Sequence, residues 1–196
     1  ALTANSFTRS GYTFAGWNTA ANGSGTAYAN SASYAFTADV TLYAQWTALP
    51  NKTVIFDANN GTGSMSNQVT HIPGSLTSNS YTRSGYTFAG WNTAANGTGT
   101  SYADAATYAF TADATLFAQW TAINYGITYN ASTATSGAVP TDSANYNIGN
   151  SVAILGNSGN LVRTGYTFAG WTVASDGSGT VLVSSSTLTF SAANIN

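Results

Sequence analysis

Apolar and polar positions alternate along this chain in short runs separated by turn residues. TVIFDA (Thr53 to Ala58) is β-branched and aromatic, and Asn59, Asn60 and Gly61 break it. YTFAGW (Tyr86 to Trp91) alternates, with Tyr86 and Phe88 on one face and Ala89 displaced to the other. TLFAQW (Thr115 to Trp120) places Leu116, Ala118 and Trp120 together, opposite Phe117 and Gln119. A slip of one residue would reverse those faces, so the pattern itself sets the register. NTAANGTGT reads as a turn, with Gly97 and Gly99 as the positions free to take positive φ. ATYAFTADA supplies Tyr108 and Phe110 as expected core anchors. No stretch sustains a helical period, so helix is limited to a short turn around Ser75 to Ser80 or Tyr102 to Ala106. The pattern predicts a mainly β fold, with room for a small α+β variant.

These runs recur. Trp17 and Trp91 are 74 residues apart, as are Trp46 and Trp120, and Arg9 and Arg83. Leu2 to Ala48 aligns with Leu76 to Ala122 without a gap, with nine mostly mild differences in 47 positions. A third copy follows at a spacing of 80 (Trp91 to Trp171, Arg83 to Arg163), its six extra residues lying before TGYTFAGW. The repeats are therefore read as 1–48, entering in mid-repeat without a first strand; 49–122, complete; and 123–196, divergent and stopping before a last strand. On this reading the chain is a window on a longer tandem array. Only TALPNK separates Trp46 from the next TVIF, and Pro50 stiffens that step. Such short joints predict a semi-rigid, elongated rod in which neighbouring repeats support one another.

TVIFDANNGTG, then TRSGYTFAGWNTAANGTGT, then TLFAQW, stand in the order of the Listeria–Bacteroides repeat, the family of the internalin B repeat. The chain resembles that family over Lys52 to Thr121 and, by repetition, over nearly its whole length. The resemblance implies a small β-grasp-like unit on a secreted or wall-attached protein. It implies a spacer, an adhesin stalk or a partner-binding role, and no shared catalytic residues. The third copy departs from the pattern. TYNASTATSGAVPTDSANY stands where the first strand and its loop belong, and WNTAANG becomes WTVASDG.

Composition narrows the function further. Only 5% of residues are charged: six Asp, no Glu, and Arg9, Lys52, Arg83 and Arg163 as the bases. Globular proteins usually carry about 25%. Four dispersed bases make no stripe for a phosphate backbone and no polybasic patch for anionic lipid, so nucleic acid is excluded as a partner. No apolar run approaches the ~20 residues that span a bilayer, so no membrane insertion is expected in this segment. Cysteine is absent, which removes disulfides and thiolate metal sites.

The candidate sites all have plainer readings. The NGSGT and DGSGT loops faintly resemble calcium loops, but calcium wants about six to eight oxygens. Each loop offers at most one carboxylate, Asp176, where the other copies carry Asn22 and Asn96. The repeated arginine, Arg9, Arg83 and Arg163, is read as a clamp laid on an aromatic ring. Asp39 and Asp113 are read as caps of local turns. His71 occurs once and is read as a surface loop residue. No Ser-His-Asp set repeats and no GxSxG elbow is present, so no catalytic residue, metal site or cofactor is expected. The residues singled out are structural anchors: Arg9, Tyr12, Phe14, Trp17 and Trp46; Arg83, Tyr86, Phe88, Trp91 and Trp120; Arg163, Tyr166, Phe168 and Trp171. The expected function is a non-enzymatic stalk, spacer or filament body of an extracellular surface protein, its partners being neighbouring repeats. The alternative is an adhesive module that binds glycan or another surface protein through exposed rings.

Overall fold

The computed structural model describes residues 1–191; the last five residues of the third repeat lie outside the described residues. No helix occurs among the described residues, and Ser75 to Ser80 and Tyr102 to Ala106 form short strand, turn and irregular chain instead. Among the described residues twelve strands run in chain order: β1 (Tyr12–Asn18), β2 (Ala27–Tyr28), β3 (Tyr43–Ala48), β4 (Lys52–Asp57), β5 (Gln68–Thr70), β6 (Gly74–Ser75), β7 (Tyr86–Asn92), β8 (Ser101–Tyr102), β9 (Thr107–Tyr108), β10 (Ala114–Ala122), β11 (Ser151–Ala153) and β12 (Thr187–Thr189). The chain forms two compact units, Ala1–Tyr81 with Ala89–Gln119, and Thr82–Phe88 with Trp120–Asn196.

The complete repeat carries a five-stranded sheet in the order β5-β4-β10-β7-β8. Its first and last strands are central and parallel, with Val54 opposite Ala114 and Phe56 opposite Leu116. The hairpin partner β5 pairs antiparallel on the outer side of β4. A parallel central pair joined by a long crossover is the β-grasp-like arrangement, achieved here without a helix. The crossover is filled by Leu76 and Tyr81, both buried. Val54, Phe56, Trp91, Phe110, Leu116 and Ala118 complete this core.

A glycine explains how the tryptophan reaches the core. Strict alternation puts Phe14 and Trp17, three residues apart, on opposite faces. In β1 the register against β3 shifts between Phe14 and Gly16, so Phe14 faces Trp46 and Trp17 faces Ala44. This bulge returns both rings to one face, with centroids 5.1 Å apart. The same glycine recurs with φ of 140°, 129° and 141° at Gly16, Gly90 and Gly170. A Cβ on Gly90 would meet the Tyr102 carbonyl oxygen at 2.8 Å, so only glycine fits.

The turn after the tryptophan is organised by a buried amide. Asn92 Oδ1 accepts from the N–H groups of Ala94 and Gly99, both at 2.9 Å. Its Nδ2 donates to the carbonyls of Gly97 and Gly99, both at 3.2 Å, and to Ser101 Oγ at 2.9 Å. Asn18 ties the first repeat's turn in the same way. This arrangement corrects the reading of Gly99 as a positive-φ position. Gly23 and Gly97 take that role, whereas a Cβ on Gly99 would collide with Thr93 Oγ1 and Asn92 Oδ1. In the third repeat the position is Thr172, whose hydroxyl donates to the Ala174 carbonyl at 3.0 Å. One hydroxyl, with a single O–H to donate, cannot replace an amide whose NH2 group and oxygen together serve five partners. There the flanking ladder shrinks to a single bridge, Trp171 to Leu182.

The third repeat nevertheless keeps the core plan. Tyr129 lies 4.8 Å from Trp171, as Phe56 lies 4.8 Å from Trp91. Asn130 Oδ1 accepts from Ser132 N at 2.7 Å, as Asp57 Oδ1 accepts from Asn59 N at 2.8 Å. Ile154 and Phe190 are buried where the second repeat buries Leu76 and Phe110. The segment that looks like a replacement for the first strand therefore still delivers that strand's aromatic.

Two outcomes test this packing by denaturant unfolding. Phe56→Ala costs about 3–5 kcal/mol, the usual loss for a fully packed ring, whereas Ile55→Ala, on the exposed side of the same strand, stays within about 0.5 kcal/mol. Asn92→Thr, which imports the third repeat's residue, costs roughly 1–3 kcal/mol because buried turn amides lose their partner.

Candidate functional site

The expected anchors fall into two kinds of place. The first is the turn ahead of each glycine–tryptophan strand. Tyr12 N donates to Arg9 O at 3.1 Å, Tyr86 N to Arg83 O at 3.1 Å, and Tyr166 N to Arg163 O at 3.0 Å. Within these turns Gly11, Gly85 and Gly165 take φ near 80°, which brings the arginine over the tyrosine. The guanidinium carbon lies 3.8, 3.8 and 3.9 Å from the ring centroid of Tyr12, Tyr86 and Tyr166 respectively. The clamp persists in the third repeat, where Tyr166 is 65% exposed and the strand is lost, so it is a local device. At such sites it is worth about 0.5–1 kcal/mol.

The second kind of place is the ring cluster. Phe14 meets Trp46 at 5.7 Å and Phe88 meets Trp120 at 5.6 Å, both edge to face across paired strands. Trp91 is fully buried, and Trp17, Trp46, Trp120 and Trp171 are half-buried. Phe168 packs 5.1 Å from Trp171 and is 43% exposed. Every aromatic ring between residues 49 and 122 is buried or half-buried.

The joints between repeats are built alike. Leu49 N donates to Gly11 O at 2.8 Å, and Ile123 N donates to Gly85 O at 2.8 Å. A loop of the following repeat presses on the same glycine. A Cβ on Gly11 would meet the His71 carbonyl oxygen at 2.7 Å, and one on Gly85 would meet Ile148 at 3.0 Å. His71 is therefore half-buried at a joint, contrary to its reading as a surface loop residue. Its ring stands edge-on to Tyr12 at 5.3 Å and its Nδ1 lies 2.7 Å from Asn51 Oδ1. At the second joint Asn147 Nδ2 donates to Ile123 O at 2.8 Å.

The titratable groups serve the fold. Asp113 Oδ1 accepts from Thr53 N at 2.8 Å, a tie across 60 residues to the first strand and not the local cap expected of it. Asp104 holds Asn79 N at 2.8 Å. Tyr81 donates its buried hydroxyl to Phe56 O at 2.7 Å. Burial, with the nearby charge of Asp57, pushes the Tyr81 phenol above its ordinary 10.0. The fold thus favours the neutral phenol, and its contribution is present below that ordinary value and lost as pH rises through the elevated one. Asp176 is pulled down by hydrogen bonds from the Ser178 hydroxyl and N–H, and Asn22 and Asn96 make the same turn contacts without a charge.

No three His, Asp or Glu side chains converge among the described residues. A depression at the first joint is lined by Gly11, Leu49, Pro50, Lys52, His71 and Phe110, among others, without a carboxylate. A second, along Thr53, Ile55, Asp113, Ala114 and Thr115, has one titratable group, whose oxygen Thr53 already occupies. No helix of the described residues is long and apolar enough to cross a membrane.

Sequence comparison agrees with this repeated geometry. A glycine-rich membrane protein of Evansella cellulosilytica is 38% identical over 104 residues, which is 50% of this chain and 12% of that protein. A second membrane protein of the same organism is 33% identical over 143 residues, 72% of this chain and 20% of that protein. The chain thus spans a fifth or less of the length of these relatives. No solved structure gives a significant match. The Listeria-Bacteroides repeat domain matches residues 1–45, 53–119 and 125–196, and the chain belongs to that family, as three of its repeats in tandem.

Proposed function

We propose that this segment is a non-enzymatic structural array of an extracellular surface protein, acting as a stalk, spacer or filament body. The observation that carries the reading is the inward disposition of the rings in the complete repeat. Sugar-binding surfaces present exposed aromatic faces, whereas this repeat buries Phe56, Tyr81, Trp91 and Phe110 and leaves its other rings half-buried. At both joints the first N–H after the last strand bonds a glycine carbonyl, Gly11 O and Gly85 O, so the linkers are short and hydrogen-bonded. Low charge fits a supporting role. The relatives described as membrane proteins fit a place at the cell surface.

Small-angle scattering on the chain tests the spacer role. An elongated particle about three repeats long is expected, and a compact sphere contradicts it. A glycan array probed with the same chain is expected to stay at background. Binding that is lost when Tyr86 or Trp120 is replaced, with the fold intact, favours the adhesive reading instead.

A further inference from the structure

An asparagine followed by glycine is chemically vulnerable, because glycine has no Cβ to shield its nitrogen from the asparagine carboxamide. The chain holds three such pairs, Asn22-Gly23, Asn60-Gly61 and Asn96-Gly97. All three asparagines are exposed. Their carboxamides are held very differently.

Asn22 and Asn96 sit in the turn after the tryptophan strand. Asn96 Oδ1 accepts from Thr98 N at 3.2 Å and from Thr98 Oγ1 at 2.8 Å. Asn22 Oδ1 accepts from Ser24 N at 3.1 Å and from Ser24 Oγ at 2.7 Å. The glycine that follows is tied as well. Gly97 N donates to Ala94 O at 3.0 Å, and Gly97 O accepts from Asn92 Nδ2 at 3.2 Å. Gly23 is held alike by Ala20 O at 3.0 Å and Asn18 Nδ2 at 3.1 Å. These contacts must loosen before either carboxamide can reach the next nitrogen.

Asn60 stands in the turn that ends β4. It takes φ of 69° and Asn59 takes 45°, a left-handed pair whose opening relieves backbone strain. Gly61 N donates to Ala58 O at 2.8 Å. The Asn60 carboxamide itself has no hydrogen-bond partner among the described residues. One backbone bond therefore stands where the other two pairs have a fully tied turn.

We propose that Asn60 is a site of spontaneous, enzyme-free modification, where the folded chain converts an amide to a carboxylate well ahead of Asn22 and Asn96. The Gly61 nitrogen gives its proton to hydroxide and attacks Asn60 Cγ. The N–Cγ bond forms, the Cγ–Nδ2 bond breaks, and Nδ2 takes a proton from water and leaves as ammonia. A second water then opens the five-membered imide. Addition at Cγ gives aspartate, and addition at the Asn60 carbonyl carbon gives isoaspartate, with the main chain rerouted through Cβ. Either product places a negative charge close in sequence to Asp57, whose Oδ1 holds Asn59 N at 2.8 Å. The isoaspartate also lengthens the chain beside Asn59, whose Nδ2 donates to Ala95 O and Ala118 O, both at 2.8 Å. The modification thus bears on the place where the first strand, the Asn92 turn and the last strand meet. The third repeat has no Asn-Gly pair, and Thr133-Ala134 and Asp176-Gly177 stand at these places.

Incubation of the folded 196-residue chain, with peptide mapping by mass that separates aspartyl from isoaspartyl products, makes the test. Conversion at Asn60 is expected to run roughly tenfold or more ahead of Asn22 and Asn96, the usual weight of two further hydrogen bonds that must break. In denaturant, where the turns are gone, the three sites are expected to convert at similar rates. Thr98→Ala, which removes one donor from Asn96 Oδ1, is expected to speed Asn96 in the folded chain relative to its rate in denaturant and to leave Asn22 unchanged. Three results each overturn the proposal: no conversion at Asn60; equal rates at the three sites in the folded chain; or the same ranking in denaturant, which would assign the preference to sequence neighbours and not to the turn.

Discussion

Trp91 and Phe56, with ring centroids 4.8 Å apart, hold together the parts of the repeat that are most distant in sequence. The tryptophan belongs to the middle strand and the phenylalanine to the first. For their rings to meet, the middle strand must bulge at Gly90 and the first strand must lie parallel to the last. The hydrophobic burial that results has to offset the ordering of a small unit, which has little core to spare. The third repeat makes the same point by substitution. Its first segment, GITYNA (126–131), replaces TVIFDA with similar residues, and Tyr129 meets Trp171 at the same distance. Its hydroxyl also accepts from Leu155 N at 2.9 Å.

Other features follow from that contact. The Asn92 turn returns the chain from the bulged strand to β8 and fixes the approach of Tyr102 to Gly90. Asp113 and Tyr81 secure the first strand near its two ends, through Thr53 N and Phe56 O. The joint then uses the turn that carries the arginine clamp, because the carbonyl of its glycine receives the first N–H after the last strand. A repeat so made passes its chain to the next one through a short, hydrogen-bonded step. That is the physical basis for reading the array as a spacer.

Much of this was legible in the residues. The three main strands lie where the alternation put them, and the faces of TLFAQW are as expected, with Leu116 and Ala118 fully buried. The period located the repeats because nearly identical sequences need the same packing. What escaped was of three kinds. Asn92 looked like one more turn residue, since sequence does not reveal that its amide is buried and bonds five times. Tyr129 was hidden because one aromatic in a divergent loop carries no periodicity. His71 and Asp113 make contacts across 59 and 60 positions, from Tyr12 and Thr53, and local spacing does not report those.

The claim on which the account rests is that the tryptophan and the first-strand aromatic stabilise the repeat jointly. A double-mutant cycle on Phe56→Leu and Trp91→Phe, read by denaturant unfolding of the whole chain, measures that coupling directly. A coupling of about 0.5–1.5 kcal/mol beyond the separate losses is predicted, as for other packed aromatic pairs. Losses that simply add would contradict it.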